Sequence, residues 1–144
     1  MALKDYYDRI NHVGVPTEDM AATVRFYTDL GFTLIYETKN GDQQVCFLEN
    51  GSIQIEAYTV EHAANARGAI DHLALNCMDI EAAFEEAKKL PYKILEGITA
   101  LPFWDHGIRY FLIEGPNKEV IELVQKLSNR DKKSLWFPMF TCFP

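Results

Sequence analysis

The chain has 144 residues, of which 14 are basic and 21 are acidic, and its formal net charge is −7. A chain of this length buries roughly 70% of its unfolded surface as one domain, so it needs neither disulfides nor a structural metal to fold. The acidic balance argues against nucleic acid or an anionic membrane as the main partner and favours a small-molecule ligand.

Residues 10–16 alternate between the two faces of a predicted strand, and Thr17 and Asp19 are candidate N-caps for an amphipathic helix that ends at Gly31. Asn-Gly pairs at 40–41 and 50–51 predict type I′ hairpin turns between the strands that come next. These three predicted strands cover 32–37, 44–48 and 52–58. The first part of the chain therefore has the order β-α-β-β-β.

The second part repeats this order. Its predicted elements are a strand over 70–76, a helix over 79–89 and strands over 92–95, 109–113 and 120–125. An irregular connection over 96–107 replaces the tight turn at 40–41, and we expect it to form a lid or a pocket wall because long ordered loops are often functional.

The domain organisation follows from this repeat. We expect one domain over 1–144, with module one at about 8–58, a linker at 59–69, module two at about 70–127 and an aromatic C-terminal tail at 128–144. The aromatic side chains of the tail should pack on the domain or on a second subunit; they are Trp136, Phe137, Phe140 and Phe143.

Cysteine use and hydropathy indicate the compartment. Cys46, Cys77 and Cys142 are far apart in the sequence and form no CxxC pair, which argues against a disulfide framework and against a thiolate zinc site. No apolar stretch approaches the ~18 residues of a membrane span, and the first residues are too polar for a signal peptide. We expect a cytoplasmic protein.

A histidine and a glutamate recur at equivalent positions of the two modules. His12 lies on the first strand of module one and Glu56 on its last strand, and His72 and Glu122 take the same places in module two. Strand parity directs all four away from the helices and into a half-closed sheet, where an ionisable group is costly unless it is paired or bound to a metal. Two imidazoles and two carboxylates form a mixed nitrogen and oxygen ligand set suited to one Zn²⁺, Ni²⁺, Co²⁺, Mn²⁺ or Fe²⁺ ion per site.

The runs over 10–15, 25–32, 70–74 and 120–125 resemble the vicinal oxygen chelate superfamily, and the order His, Glu, His, Glu resembles glyoxalase I. The resemblance spans about residues 8–127. It implies an α+β fold in which two paired βαβββ modules form a cupped mixed sheet with helices on the outer face. It also implies one divalent ion held by the two His–Glu pairs, and a homodimer.

For function, the resemblance implies a metal-dependent lyase or isomerase. Such an enzyme shifts a proton between adjacent carbons through an enediolate that the ion stabilises. Glu122 matches the catalytic base of the family, and it should alternate between ligation and proton transfer. Pro16 and Val60 replace an arginine and an asparagine that contact glutathione in glyoxalase I, so the resemblance does not extend to glutathione recognition.

Five side chains are candidates for contact with the substrate. Tyr58 shares strand parity with Glu56, and the others fall in or beside the connection over 96–107, where aromatic groups could exclude water and His106 or Arg109 could meet an anion. The five are Tyr58, Phe103, Trp104, His106 and Arg109.

Two other functions remain open at this stage. One is an Fe²⁺-dependent extradiol dioxygenase, although Glu56 fills the fourth ligand position that such an enzyme leaves free. The other is a metal-free protein that sequesters a drug or metabolite, as bleomycin-resistance proteins do.

Overall fold

The structure is a computed structural model that describes residues 2–6, 8–68 and 70–131. Cys142 and the four aromatic side chains of the predicted tail lie outside these residues. The described chain forms two compact units. The first contains the residues up to Asp71 together with Gly115–Glu119, and the second contains His72–Glu114 and the residues from Val120 onward.

Module one is a four-stranded mixed sheet with one helix on one of its faces. Its elements are β1 (Val13–Thr17), α1 (Met20–Asp29), β2 (Thr33–Asn40), β3 (Gln43–Asn50) and β4 (Ile53–Thr59). The strand order is β1-β4-β3-β2, and only β1 and β4 are parallel. The helix packs on the face that carries Cys46, Leu48, Ile55 and Ala57, all of which are fully buried.

Two residues of module one define the ends of helix α1. The Asp19 carboxylate accepts a hydrogen bond from the Ala22 N–H and caps α1. Gly31 follows the last turn of the helix with φ of +102°, a conformation that glycine adopts without steric cost.

The two predicted hairpins are present, but their turn type was wrongly predicted. The asparagines end their strands, and the two-residue loops begin at Gly41 and Gly51, whose φ values are +60° and +59°. The residue after each glycine does not have positive φ. This is the pattern of type II′ turns, in which glycine at the first central position has the positive φ.

Module two repeats the architecture of module one. Its elements are β5 (Leu73–Asn76), α2 (Ile80–Lys88), β6 (Ile94–Leu101), β7 (Ile108–Glu114) and β8 (Val120–Lys126). The order is β5-β8-β7-β6, again with one parallel pair, β5 and β8. The rings of Phe84 on α2 and Phe111 on β7 pack edge to face at 5.2 Å. The predicted α+β class with two βαβββ modules is confirmed.

The long irregular connection was wrongly predicted in its first half. Strand β6 continues to Leu101, so only residues 102–107 separate it from β7. The register of β6 against β7 shifts on both sides of Glu96. Such bulges interrupt the alternation of side chains, which is why this strand is not evident in the sequence.

The segment Gly115–Glu119 belongs to the first unit through a partly buried polar network on α1. The Tyr27 hydroxyl donates to Glu119 Oε2 at 3.2 Å, and Asn117 Nδ2 donates to Thr23 Oγ1 at 2.9 Å. Thr23 in turn donates to Thr17 Oγ1 at 2.9 Å. Burial, together with the negative charge of Glu119, raises the pKa of Tyr27 well above its ordinary value.

Among the described residues, no helix has both the length and the apolar composition that crossing a membrane requires.

Candidate metal centre

In module one, the structure places His12 and Glu56 in direct contact. His12 immediately precedes β1, and its Nε2 lies 2.7 Å from Glu56 Oε2 on β4. Gly14, two residues after the histidine, pairs with Glu56 in the parallel ladder and carries no side chain that could separate the two groups. The rings of His12 and Phe47 pack edge to face, with their centroids 5.9 Å apart.

The second ring nitrogen of His12, Nδ1, has a hydrogen-bond partner of its own. His12 Nδ1 is 2.7 Å from Asn11 Oδ1, a carbonyl oxygen that only accepts hydrogen bonds. A proton on Nδ1 leaves the lone pair of Nε2 directed at the Glu56 carboxylate. In this tautomer Nε2 is free to act as a ligand atom, whereas in the other tautomer Nε2–H donates to Glu56.

Module two contains the equivalent pair. His72 immediately precedes β5, and its Nε2 lies 2.8 Å from Glu122 Oε2 on β8. Ala74, again two residues after the histidine, pairs with Glu122 and has the smallest side chain after glycine. Glu122 is the more deeply placed of the two carboxylates, since its side chain is 13% exposed against 27% for Glu56.

Both pairs lie on the face of their own sheet that is opposite the helix. The ladder pairs Val13 with Ile55 and Leu73 with Ile121 on the helix side, so Glu56 and Glu122 point the other way. The parity predicted from the sequence is therefore confirmed.

The spacing within each pair fits ligands of one ion. Two ligand atoms at about 2.1 Å from a metal lie roughly 3.0 to 3.4 Å apart at octahedral or tetrahedral angles. The observed 2.7 and 2.8 Å need to open by only a few tenths of an ångström. Each module supplies two of the predicted ligands, and the described residues contain no group of three or more potential ligand side chains. The meeting of all four groups stays a prediction.

Tyr58 is the predicted substrate residue that the structure brings next to one of these pairs. It lies on β4 two residues after Glu56 and on the same face of the sheet. Its ring covers Gly14, where an added Cβ would lie 3.5 Å from Tyr58 Cε1.

Phe103, Trp104 and His106 are in the connection between β6 and β7. Phe103 and Trp104 are 53% and 72% exposed, and a cavity of about 580 Å³ is lined by Trp104, His106 and their neighbours. The Lys126 ammonium lies 4.4 Å from the centre of the Trp104 ring. Lys126 is four residues beyond Glu122 on β8, which corresponds to roughly 13 Å along a strand. These aromatic residues are thus near the end of β8.

Arg109 lies on the opposite face from Glu122. It pairs with Gln125 in the ladder, on the helix side of the sheet, and its guanidinium donates to Glu81 of α2 at 2.8 Å. The structure does not bring this predicted substrate residue to the His72–Glu122 pair.

A polar cluster near Glu122 was not predicted from the sequence. The Tyr110 hydroxyl donates to Glu96 Oε1 at 3.0 Å, and the Thr99 hydroxyl reaches the same oxygen at 2.9 Å. The hydrogen bond to Glu96, burial and the charges of Glu96 and Glu122 raise the pKa of Tyr110. Extending the internal repeat into β6 would have revealed the cluster, but residues 96–107 were predicted to be irregular.

Several known proteins resemble this chain. Residues 9–123 match the family described as "Glyoxalase/Bleomycin resistance protein/Dioxygenase superfamily". The chain is 40% identical over 129 residues to the Bacillus subtilis (strain 168) protein named "Uncharacterized protein YwbC", a match that covers 82% of this chain and 98% of the relative.

Solved structures resemble it as well. A glyoxalase family protein from Enterococcus faecalis superposes with a TM-score of 0.70 at 22% identity, over 83% of this chain and 98% of that one. A mutant of glyoxalase I from Zea mays superposes with a TM-score of 0.64 at 19% identity, over 83% of this chain and 45% of that one. At such identities, the structural similarity shows the fold alone.

Proposed function

Because the chain belongs to the glyoxalase, bleomycin resistance protein and dioxygenase superfamily, we propose that it is a divalent-metal-dependent lyase or isomerase. In this proposal it shifts a proton between adjacent carbons of a small α-hydroxycarbonyl or a related carbon acid. The observation that carries the proposal is the pair of repeat-related His–Glu contacts at 2.7 and 2.8 Å.

The proposed ligands are His12, Glu56, His72 and Glu122, which together hold one divalent ion such as Ni²⁺, Zn²⁺, Co²⁺, Mn²⁺ or Fe²⁺. When bound, the ion would act as a Lewis acid and stabilise the negative charge that develops on the substrate oxygens. Asn11 holds the proton of His12 on Nδ1 and so keeps Nε2 available as a donor atom.

Glu122 is the proposed base. A carboxylate accepts a proton from carbon more readily when it is shielded from water, and the side chain of Glu122 is less exposed than that of Glu56. It takes the proton from one carbon of the substrate and returns it to the next. His72 Nε2, at 2.8 Å, holds the carboxylate in position when no ion is bound.

The remaining parts of the proposal concern the setting of this site. Tyr58 contributes to the wall on the module-one side, next to Gly14. We propose that the chain is a single domain that forms a homodimer in the cytoplasm. Glutathione is not part of the proposed substrate, because Pro16 and Val60 lack the groups that contact it in glyoxalase I.

Proton exchange tests this proposal. Protein loaded with Ni²⁺ or Zn²⁺ is incubated in heavy water with the hemithioacetal of methylglyoxal and mercaptoethanol, with hydroxyacetone and with an acyl thioester, and deuterium entry next to the carbonyl is followed by NMR. Loss of a general base slows such a reaction by about 10² to 10⁴-fold, which is the effect expected for Glu122→Gln.

The matched control is Glu49→Gln. Glu49 also lies on the helix-free face of a sheet, but its carboxylate accepts a hydrogen bond from Gln54 at 2.7 Å and has no proposed role. This variant should keep the rate of the unmodified protein. Full activity in Glu122→Gln would show that the base assignment is wrong.

A metal-free binding protein is the second candidate. The His–Glu distances of 2.7 and 2.8 Å are also those of a hydrogen bond from Nε2–H to the carboxylate, so in that tautomer the two pairs are satisfied without an ion. A protein that retains no divalent ion and whose melting temperature ignores added Ni²⁺ and Zn²⁺ would favour this candidate.

A further inference from the structure

The two modules differ at one row of side chains that crosses the helix-free face of each sheet. In module one, Tyr36 on β2 pairs with Phe47 on β3, which pairs with Glu56. In module two, the equivalent row is Glu96 on β6, Leu112 on β7 and then Glu122. The duplication therefore places a carboxylate where its first copy has an aromatic ring.

The backbone around Glu96 departs from regular pairing. The register of β6 against β7 shifts between Ile94 and Glu96 and again between Glu96 and Thr99. Bulges on an edge strand redirect side chains and occur beside functional sites. Here they set Glu96, Thr99 and Tyr110 within hydrogen-bonding distance of one another.

The cluster of these three side chains offers acceptors and no donor. The Tyr110 proton is committed to Glu96 Oε1, and the Thr99 proton is committed to the same oxygen or to the Gly97 carbonyl at 3.0 Å. A carboxylate only accepts. In the described part of the chain, the second oxygen of Glu96 has no hydrogen-bond partner, and no lysine, arginine or histidine forms an ion pair with this residue.

The cluster lies within reach of the proposed base. Two strand spacings separate Glu96 from Glu122, which is roughly 10 Å between Cα atoms. Tyr110 lies on the strand between them, two residues before Leu112, and the charge of Glu122 contributes to the raised pKa of its hydroxyl. The lysine on the same face, Lys126, holds its ammonium over the Trp104 ring at the end of β8.

We infer that Glu96, positioned by Tyr110 and Thr99, is a specificity-determining residue that selects substrates with a hydrogen-bond donor remote from the reacting carbons. The donor is an ammonium or a hydroxyl group. A carboxylate or phosphate at the same place is rejected, because it would meet an uncompensated negative charge. This inference rests on the proposed function, since it assigns the substrate class of the same site.

Hydroxamates test the inference without turnover, because they chelate a divalent ion through two neighbouring oxygens. Aminoalkyl, hydroxyalkyl and carboxyalkyl hydroxamates of the same chain length, with tails long enough to reach Glu96, are titrated calorimetrically into Ni²⁺-loaded protein. A charge-assisted hydrogen bond to Glu96 should make the aminoalkyl ligand bind about tenfold tighter than the carboxyalkyl ligand, with the hydroxyalkyl ligand between them.

The variant Glu96→Gln removes the charge and keeps the shape, and it should remove this preference while leaving the affinity for the hydroxyalkyl ligand within about threefold, because an amide still accepts a hydrogen bond. Tyr110→Phe frees the carboxylate from its partner and should weaken the preference in part. The control is Glu37→Gln, which removes an equal charge from the equivalent edge strand of module one, on the helix side opposite Cys46. This control should keep the full preference.

The outcomes separate the two proposals. If no hydroxamate binds the Ni²⁺-treated protein, the proposed metal function fails and the inference fails with it. If hydroxamates bind but the three tails are equivalent, or if Glu96→Gln keeps the preference, the inference alone is wrong. A variant that lowers the affinity for all three tails equally would show that Glu96 acts only to support the strand.

Discussion

If the proposed ion is bound by both His–Glu pairs, the stability of the protein should respond to the loss of either histidine. We expect Ni²⁺ at a hundred times its dissociation constant to stabilise the unmodified protein by about 2.7 kcal/mol. For a chain of this length, that corresponds to a rise of roughly 5 to 10 °C in melting temperature. The opposing cost is small, because the His–Glu contacts that must open are partly exposed, with His12 36% and Glu56 27% exposed. Such a pair contributes about 1 kcal/mol at most.

The variant His12→Ala separates the two effects. The metal-free variant should lose about 1 kcal/mol or less, while the stabilisation by Ni²⁺ should vanish. The same loss is expected for His72→Ala, because each variant removes one of the four proposed ligands. His62→Ala removes an exposed histidine outside both pairs and should keep the full response.

Differential scanning calorimetry with and without Ni²⁺ measures these shifts, and mass spectrometry of bound metal gives the stoichiometry. One ion per chain with complete loss in both variants is the expected result. Two ions per chain, with half of the stabilisation left in His12→Ala, would show that each His–Glu pair binds separately, and the reasoning from convergence would be refuted.

Three further predictions concern stability. Burial and Glu119 raise the pKa of Tyr27, so the folded state keeps a proton that the unfolded chain loses above about pH 10. The free energy of unfolding should therefore fall as the pH rises beyond that value. In urea unfolding, Tyr27→Phe should show a shallower fall. Gly107→Ala should cost about 1 to 3 kcal/mol, because φ is +84° and the new Cβ would lie 3.0 Å from the Leu101 carbonyl oxygen; chemical denaturation would contradict this if the variant matched the unmodified protein. Asp19→Ala removes the N-cap of α1 and should cost about 1 kcal/mol, whereas Asp19→Ser should restore most of it in the same assay.

The duplication and the two His–Glu pairs were predictable because they depend on local information. Side chains alternate along a regular strand, so the valines beside His12 and the leucines beside His72 already define which way the histidines point. The internal repeat then relates the two modules without any knowledge of packing. The ends of α1 are equally local, since the sequence limits the cap to Thr17 or Asp19 and the stop at Gly31 follows from the chemistry of a single residue.

Tertiary structure decided the features in which neighbouring strands or a helix take part. The bulges beside Glu96 depend on pairing with β7, so the extent of β6 and the cluster around Tyr110 are not visible in the alternation of residues. Strand β7 carries large apolar side chains on both faces, so only its register against β8 and the contact with Glu81 of α2 place Arg109 on the helix side. A linear pattern records the period of an element, whereas the partner across a sheet is chosen by register and packing, and these exist only once the chain has folded.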